Sequence, residues 1–205
     1  MKILKTIFSL LFLVSLGNTI AAQTIFQETG DLKMLAAGGT LMVKYDYSTI
    51  EMGDGTPEAT YLQSKREELN AKRPNRGDEF VERWERNKKE RWELKFEELF
   101  NKYGGKLQLS QQAKDAQYTL TVKTIVTFPG LSTGAGFGGV PSYISCEMYI
   151  TETAKPGIIL SKTLVKHVVG PTNCGMFVDD PGLCLQEAYA KMAKVYADHI
   201  KKNKK

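Results

Sequence analysis

The chain has 205 residues, of which 42% are hydrophobic and 25% are charged, and its net charge is +5. These values are typical of a globular protein and exclude a disordered chain. Because six of the lysines lie in the first five and last five residues, the body is close to neutral, which does not indicate a basic nucleic-acid-binding domain.

Residues 1–22 have the order of a secretory signal peptide. Two lysines precede an apolar run over residues 6–16, and a polar break and two alanines follow it. This run of about 11 residues is too short to span a membrane, which takes about 20. We therefore expect cleavage after Ala22 and a mature protein in the periplasm or associated with the outer membrane. An uncleaved N-terminal anchor is the alternative, and no later segment is apolar enough to cross a membrane.

Periodicity predicts eight elements in the remainder of the chain. Alternation of apolar and polar residues indicates a strand, and apolar residues three or four positions apart indicate a helix. After an irregular lead-in at 23–39, we predict a strand at 40–47, helices at 56–72 and 78–103, a short strand at 106–109, strands at 117–128, 142–153 and 158–169, and a helix at 185–201. We assign residues 40–201 to one domain and residues 202–205 to a basic tail.

The order of these elements indicates the fold class. Three successive strands with short links predict an antiparallel meander. Strands clustered in this way, with the helices set apart, are typical of an α+β domain, in which an antiparallel sheet carries helices on one face.

The second predicted helix carries an aromatic stripe. Its main members are Trp84, Trp92, Phe96 and Phe100, with Lys88 between the two tryptophans. Aromatic residues at helical spacing are typical of a buried core. A partner groove or a ligand shelf is the alternative.

A glycine-rich loop between two predicted strands is the first candidate site. Gly134, Gly136 and Gly139 match the G-x-G-x-x-G spacing, but a dinucleotide site needs a helix after the loop, and here a strand follows. Phe137 lies between glycines on the loop, which suits contact with a partner. We predict that these four residues bind a partner, and a simple connecting loop is the alternative.

His167 is the candidate for chemistry. It alternates with Val165 and Val169 along a predicted strand, so we expect it to be semi-buried. A Ser–His–Asp or Cys–His site needs a nucleophile beside the histidine, and the sequence has no nucleophile-elbow motif. We therefore predict no catalytic residues.

The three cysteines give two predictions. Cys146 alternates with apolar residues and is expected to be a core residue. Cys174 and Cys184 bracket a loop rich in glycine, proline and aspartate, and an oxidising compartment permits them to form a disulfide. Two free thiols are the alternative. The paired ligand spacing of a structural zinc site is absent, so we predict no metal and no cofactor.

The strand at 117–128 follows a short motif, Asp115-Ala116-Gln117-Tyr118-Thr119-Leu120-Thr121-Val122. This pattern resembles a strand of small exported bacterial envelope proteins, largely uncharacterised, whose folds are similar to the N-terminal domain of TolB. The resemblance implies a strand and helix before a β-meander, a closing helix, and an envelope-associated binding or assembly role without catalytic residues. The long aromatic helix and the missing lipidation cysteine depart from that pattern.

These observations predict an exported, non-enzymatic protein that binds another component of the cell envelope. We expect an envelope protein as the partner, no nucleic acid and no membrane span. The sequence does not indicate an oligomeric state. The alternative is a small-ligand or glycan binder, or a hydrolase, with a site near His167 and neighbouring tyrosines. A purely structural subunit is the third hypothesis.

Overall fold

The computed structural model describes residues 26–132, 139–171 and 182–204. The strands are β1 (Phe26–Gly30), β2 (Gly39–Asp46), β3 (Glu51–Met52), β4 (Leu107–Ser110), β5 (Tyr118–Phe128), β6 (Leu131–Ser132), β7 (Gly139–Val140), β8 (Tyr143–Glu152) and β9 (Lys155–Val169). The helices are α1 (Glu58–Lys72), α2 (Arg76–Asn87), α3 (Leu94–Tyr103) and α4 (Gly182–Asn203), with a 3-10 turn at Lys33–Leu35 and a π-helical segment at Lys88–Glu93.

Seven strands form one sheet in the order β1-β9-β8-β5-β2-β4, with β3 beside β5. The α+β class is confirmed, and β5, β8 and β9 form the predicted antiparallel meander. The sheet as a whole is mixed, because β2 runs parallel to β4 and β5. Helices α1 to α3 connect β2 to β4, and a crossover of this kind returns the chain to start a parallel strand.

The sequence predicted an irregular lead-in at residues 23–39, but part of this segment forms a strand. Phe26–Gly30 forms β1 and pairs antiparallel with β9, so that Phe26 lies opposite Val165. Gly30 has a φ of +89°, and a Cβ at this position would collide with the carbonyl of Leu160. Only glycine therefore fits where β1 ends against β9.

The core lies between one face of the sheet and the helices. The aromatic stripe of α2 and α3 is buried, as predicted for core residues: Trp84 is 1% exposed, and Trp92, Phe96 and Phe100 are 0% exposed. The apolar face of α4 packs beside it, through the buried side chains Leu185, Ala188, Tyr189, Met192, Ala193 and Tyr196.

The long helix predicted at 78–103 has a different geometry in its middle. It consists of α2, the π-helical segment and α3, and it begins at Arg76 after Asn75, whose φ is +67°. A π turn inserts an extra residue into the helix and changes which side chains face inward. Lys88, Trp92 and Glu93 are the buried residues of this segment.

The last helix extends two residues into the predicted basic tail, because α4 ends at Asn203. Among the residues that the structure describes, no helix is long and apolar enough to cross a bilayer.

Candidate functional site

The glycine-rich loop is only partly described. Gly134, Gly136 and Phe137 lie outside the described residues, whereas Gly139 begins β7. β6 and β7 pair as a small antiparallel hairpin in which Leu131 lies opposite Val140. Leu131 is 59% exposed and Val140 is 46% exposed, so two large apolar side chains lie in water at the base of the predicted partner-binding loop.

This hairpin continues the chains of β5 and β8 beyond the main sheet. The last β5–β8 pair is Phe128 with Tyr143, and the hairpin begins three residues further on. Gly130 lies between these two strand pairings. Its φ of +86° is a conformation that residues with side chains rarely adopt, so glycine suits this position. An isolated two-stranded hairpin is at best marginally stable in water, and this hairpin is attached to the main sheet through β5 and β8.

Three rings lie side by side across the same end of the sheet, with Phe128 and Tyr143 stacked and His167 tilted against Tyr143. The Phe128 and Tyr143 ring centroids are 5.1 Å apart, and the Tyr143 and His167 ring centroids are 4.2 Å apart. The Tyr143 hydroxyl donates a hydrogen bond to the carbonyl of Gly53 at 3.3 Å, which fixes the middle ring. His167 is exposed, and the other two side chains are partly buried.

The prediction that His167 is semi-buried is therefore wrong. Val165 and Val168 face the core instead, and His167 has a φ of +53°. The register between β8 and β9 shifts here, since Ile144 pairs with Val168 and Cys146 pairs with Val165. An extra residue in one strand reverses the inward and outward alternation beyond it, and histidine tolerates the left-handed conformation better than most residues. The His167 amide donates to Ser145 Oγ at 3.0 Å.

Two of the three cysteines lie in the described part of the chain, Cys146 in the core and Cys184 at the start of α4. Cys146 is a free thiol that is 0% exposed, and burial raises its pKa to about 12. Its predicted role as a core residue is confirmed, and its environment suppresses the reactive thiolate. Cys184 is 8% exposed in the first turn of α4, whereas Cys174 lies outside the described residues, so the disulfide stays a prediction.

In the described ranges, no group of three or more His, Cys, Asp and Glu side chains could hold a metal ion.

Lys88 is a buried cation in the aromatic core. Its ammonium group lies 2.8 Å from a carboxylate oxygen of Glu58 and 2.9 Å from one of Glu85. The Trp84 indole N–H donates to the other Glu58 oxygen at 2.8 Å. The sequence places Lys88 between the two tryptophans, and no pattern in it connects Lys88 with Glu58 at the start of α1.

Two carboxylates of the same helical region share one amide donor. Gln111 Nε2 donates to Glu93 Oε2 at 3.2 Å and to Glu97 Oε1 at 2.6 Å. The Tyr45 hydroxyl donates to the Glu93 carbonyl at 3.1 Å, which joins β2 to the helix. Burial raises the pKa of Glu93, and the charge of Glu97 adds to this effect. Both carboxylates, of Glu93 and Glu97, accept hydrogen bonds from within the protein, which suits a role in positioning α3 on the sheet.

Replacing Glu93 by glutamine is expected to raise the melting temperature near neutral pH. A raised pKa in the folded state means that the ionised carboxylate opposes folding, and this penalty is full above the folded pKa and vanishes below the unfolded value of about 4.3. Glutamine keeps an acceptor for Gln111 and removes the charge. The gain should be present at about pH 7 and absent at about pH 3.5 in calorimetric scans. Glu98→Gln, at an exposed ion pair with Lys95, is the control and should change little.

A groove that no sequence motif indicated lies between α3, α4 and the end of β9. Its volume is about 490 Å³, and it is lined by Leu99, Tyr103, Val169, Gly170, Pro171, Glu187, Ala190, Lys191 and Lys194. It is an open depression on the surface and not an enclosed cavity.

Comparisons with known proteins give no family. No protein-family model matches the chain, and no curated protein matches it. Among solved structures, the PelC dodecamer from Paraburkholderia phytofirmans is 8% identical with a TM-score of 0.37, over 82% of this chain and 98% of that chain. A variant of that dodecamer is 8% identical with a TM-score of 0.34, over 83% of this chain and 99% of that chain. Similarity at this level does not indicate a shared function.

Proposed function

We propose that this protein is an exported, non-enzymatic binding module for another cell-envelope protein, and that the β6–β7 hairpin contacts this partner. The exposed pair Leu131 and Val140 is the observation that carries the proposal. Two cross-strand neighbours with exposed apolar side chains lose unfavourable contact with water when a partner covers them. The loop that the hairpin supports contains Phe137, the aromatic residue for which the sequence predicts partner contact.

The aromatic stack supports the same end of the molecule as an interface. Phe128 and Tyr143 lie on the strands that continue into the hairpin, so the stack forms a fixed base for it. Aromatic side chains are enriched at interfaces, because they supply a large contact area at a low cost in conformational entropy.

Several reactive groups are engaged inside the protein, which favours binding over catalysis. Burial raises the pKa of the Cys146 thiol and of the Tyr189 hydroxyl, and the latter shares a hydrogen bond of 2.7 Å with Thr124. Glu93 and Glu97 are held by Gln111. Cys146 and Tyr189 are 0% exposed, so neither has the exposure that a nucleophile or general base needs to reach a substrate, and Gln111 occupies the two carboxylates.

The proposal predicts that a photo-crosslinking amino acid at position 140 captures one dominant envelope protein in cells. The same amino acid at position 158 is the matched control, because Ile158 is also apolar and is 57% exposed, on the remote part of β9. For the double variant, the photo-crosslinking amino acid is placed at a loop position other than 131 and 140. Replacing both Leu131 and Val140 by serine should then abolish capture, with little change in melting temperature. Equal capture from positions 140 and 158, or undiminished capture by the double variant, would overturn the proposal.

A small-ligand or glycan binder near His167 remains the second candidate, and the row of three neighbouring rings is the observation that favours it. A cluster of aromatic rings offers apolar surface on which planar or sugar-like ligands can pack. Titration of the protein with a glycan panel should then shift the NMR signals of Tyr143 and His167, and Tyr143→Ala should remove the shifts. A screened hydrolytic activity that His167→Ala abolishes would favour the hydrolase instead.

A further inference from the structure

The groove between α3 and α4 combines an apolar floor with a cluster of ammonium groups. Leu99 and Ala190 supply apolar surface from the two helices, and Val169 supplies it from the end of β9. Lys191 and Lys194 are three positions apart on α4, so their side chains lie on one face of the helix. Glu187 is the one acidic side chain among the lining residues, so the lining has a net positive charge.

Tyr103 brings a third lysine to this site. The ammonium group of Lys194 lies 5.0 Å from the centroid of the Tyr103 ring, and the ammonium group of Lys102 lies 5.6 Å from the same centroid. Contacts of this kind attract a cation to the face of the ring. Tyr103 therefore holds two positive charges at one end of the groove.

Lys191 is oriented by the backbone. Its ammonium group donates one hydrogen bond to the carbonyl of Val169 at 3.1 Å. A lysine ammonium has three donors, so two are left to face the groove. The contact also fixes the end of a long side chain, which lowers the entropy lost when a ligand binds.

Two lysines elsewhere on the same helices are ion-paired, whereas those around the groove are not paired with any described residue. Lys95 on α3 pairs with Glu98, and Lys201 on α4 pairs with Asp198, each at 2.9 Å. Within the described part of the chain, Lys102, Lys191 and Lys194 have no carboxylate within 4.0 Å. Three unpaired positive charges around an apolar groove create a local field that attracts an anion.

We propose that this groove binds an amphipathic anion, in which a negatively charged head group is joined to an apolar chain. The head group lies between Lys191 and Lys194 near the Tyr103 ring, where charge-assisted hydrogen bonds are available. The apolar chain lies along Leu99 and Ala190. The site shares no residue with the hairpin, so it stands independently of the partner interface proposed above.

Three probes separate the two parts of the proposal: octyl phosphate, inorganic phosphate and octanol. Calorimetric titration below the micelle concentration should show one octyl phosphate per chain, with an affinity at least about tenfold higher than that for either other probe. NMR shifts should map to Tyr103 and to the signals of α4. Inorganic phosphate binding as tightly as octyl phosphate would overturn the role of the apolar floor, and octanol binding as tightly would overturn the role of the lysines.

Matched variants on α4 locate the site. Lys191→Gln together with Lys194→Gln should weaken octyl phosphate binding by about tenfold or more, because two charge-assisted contacts are lost. Lys201→Gln together with Lys202→Gln removes the same charge from the last turn of the helix and should leave the affinity unchanged. Equal loss in both double variants would mean that the attraction comes from net charge and not from the groove.

Discussion

Replacing Trp92 by alanine is expected to lower the free energy of unfolding by about 3–5 kcal/mol, the largest effect of any single truncation in this core. Trp92 is 0% exposed, so the lost side chain leaves a cavity that water does not fill favourably. Its ring lies 5.4 Å from the centroid of Trp84 in an edge-on contact and 5.4 Å from that of Tyr189 in a stacked contact. The substitution therefore removes packing from α2 and from α4 together.

A hydrogen bond adds to this packing effect. The Trp92 indole N–H donates to the carbonyl of Gly182 at 3.2 Å, which ties the π-helical segment to the start of α4. Trp92→Phe keeps an aromatic ring and removes this donor, so its loss of stability should be smaller than that of Trp92→Ala but still measurable, at roughly 1–3 kcal/mol.

Urea unfolding followed by far-UV circular dichroism measures these differences without using tryptophan fluorescence. Leu94→Ala, two residues away and 57% exposed at that position, is the control and should cost less than about 0.5 kcal/mol. A Trp92→Ala variant that loses less than about 1 kcal/mol would contradict the buried position of this ring.

The elements that sequence periodicity predicted well are those whose pattern is local. β5 alternates from Leu120 to Thr124, before its register against β8 shifts, and the aromatic stripe recurs at helical spacing, so each shows its buried face without reference to the rest of the chain. The strand at the start of the chain has no such pattern. Phe26–Gly30 is short and largely polar, and it becomes a strand because β9 offers an unpaired edge far away in the sequence.

The outward position of His167 could not be predicted for a different reason. A one-residue bulge reverses the phase of alternation, and nothing in the residue types of β9 states where the register against β8 shifts. The π-helical segment is a similar case, since the extra residue changes which side chains face inward within a continuous helical pattern.

The groove could not be predicted because its parts come from three elements. The spacing of Lys191 and Lys194 is visible in the sequence, but the ring beneath them belongs to Tyr103 on another helix. Periodicity predicts that α3 and α4 each bury an apolar face, and it does not give the offset between them. That offset leaves Leu99 partly exposed beside Ala190, which is 8% exposed, at the floor of an open groove.

Lys88 is the second residue whose replacement should have a large effect. Its side chain is 8% exposed and that of Glu58 is 12% exposed, so both charges lie largely out of water. Removing one member of a buried pair leaves the other charge uncompensated, and Lys88→Met is expected to lower the free energy of unfolding by about 3 kcal/mol. Lys65→Met, at a pair with Glu68 whose side chains are 36% and 44% exposed, should cost less than about 0.5 kcal/mol.

A double replacement separates this charge effect from the loss of packing. Glu58→Gln together with Lys88→Met removes both charges and keeps an acceptor for the Trp84 indole N–H. If the uncompensated carboxylate causes most of the loss, the double variant should be more stable than Lys88→Met by at least about 1 kcal/mol. The Lys88→Met loss should also persist at high salt, because water and ions do not screen a buried pair effectively. A double variant no more stable than Lys88→Met would show instead that other contacts of Lys88, such as that of its ammonium group 5.4 Å from the centroid of the Tyr47 ring, matter more than the uncompensated carboxylate.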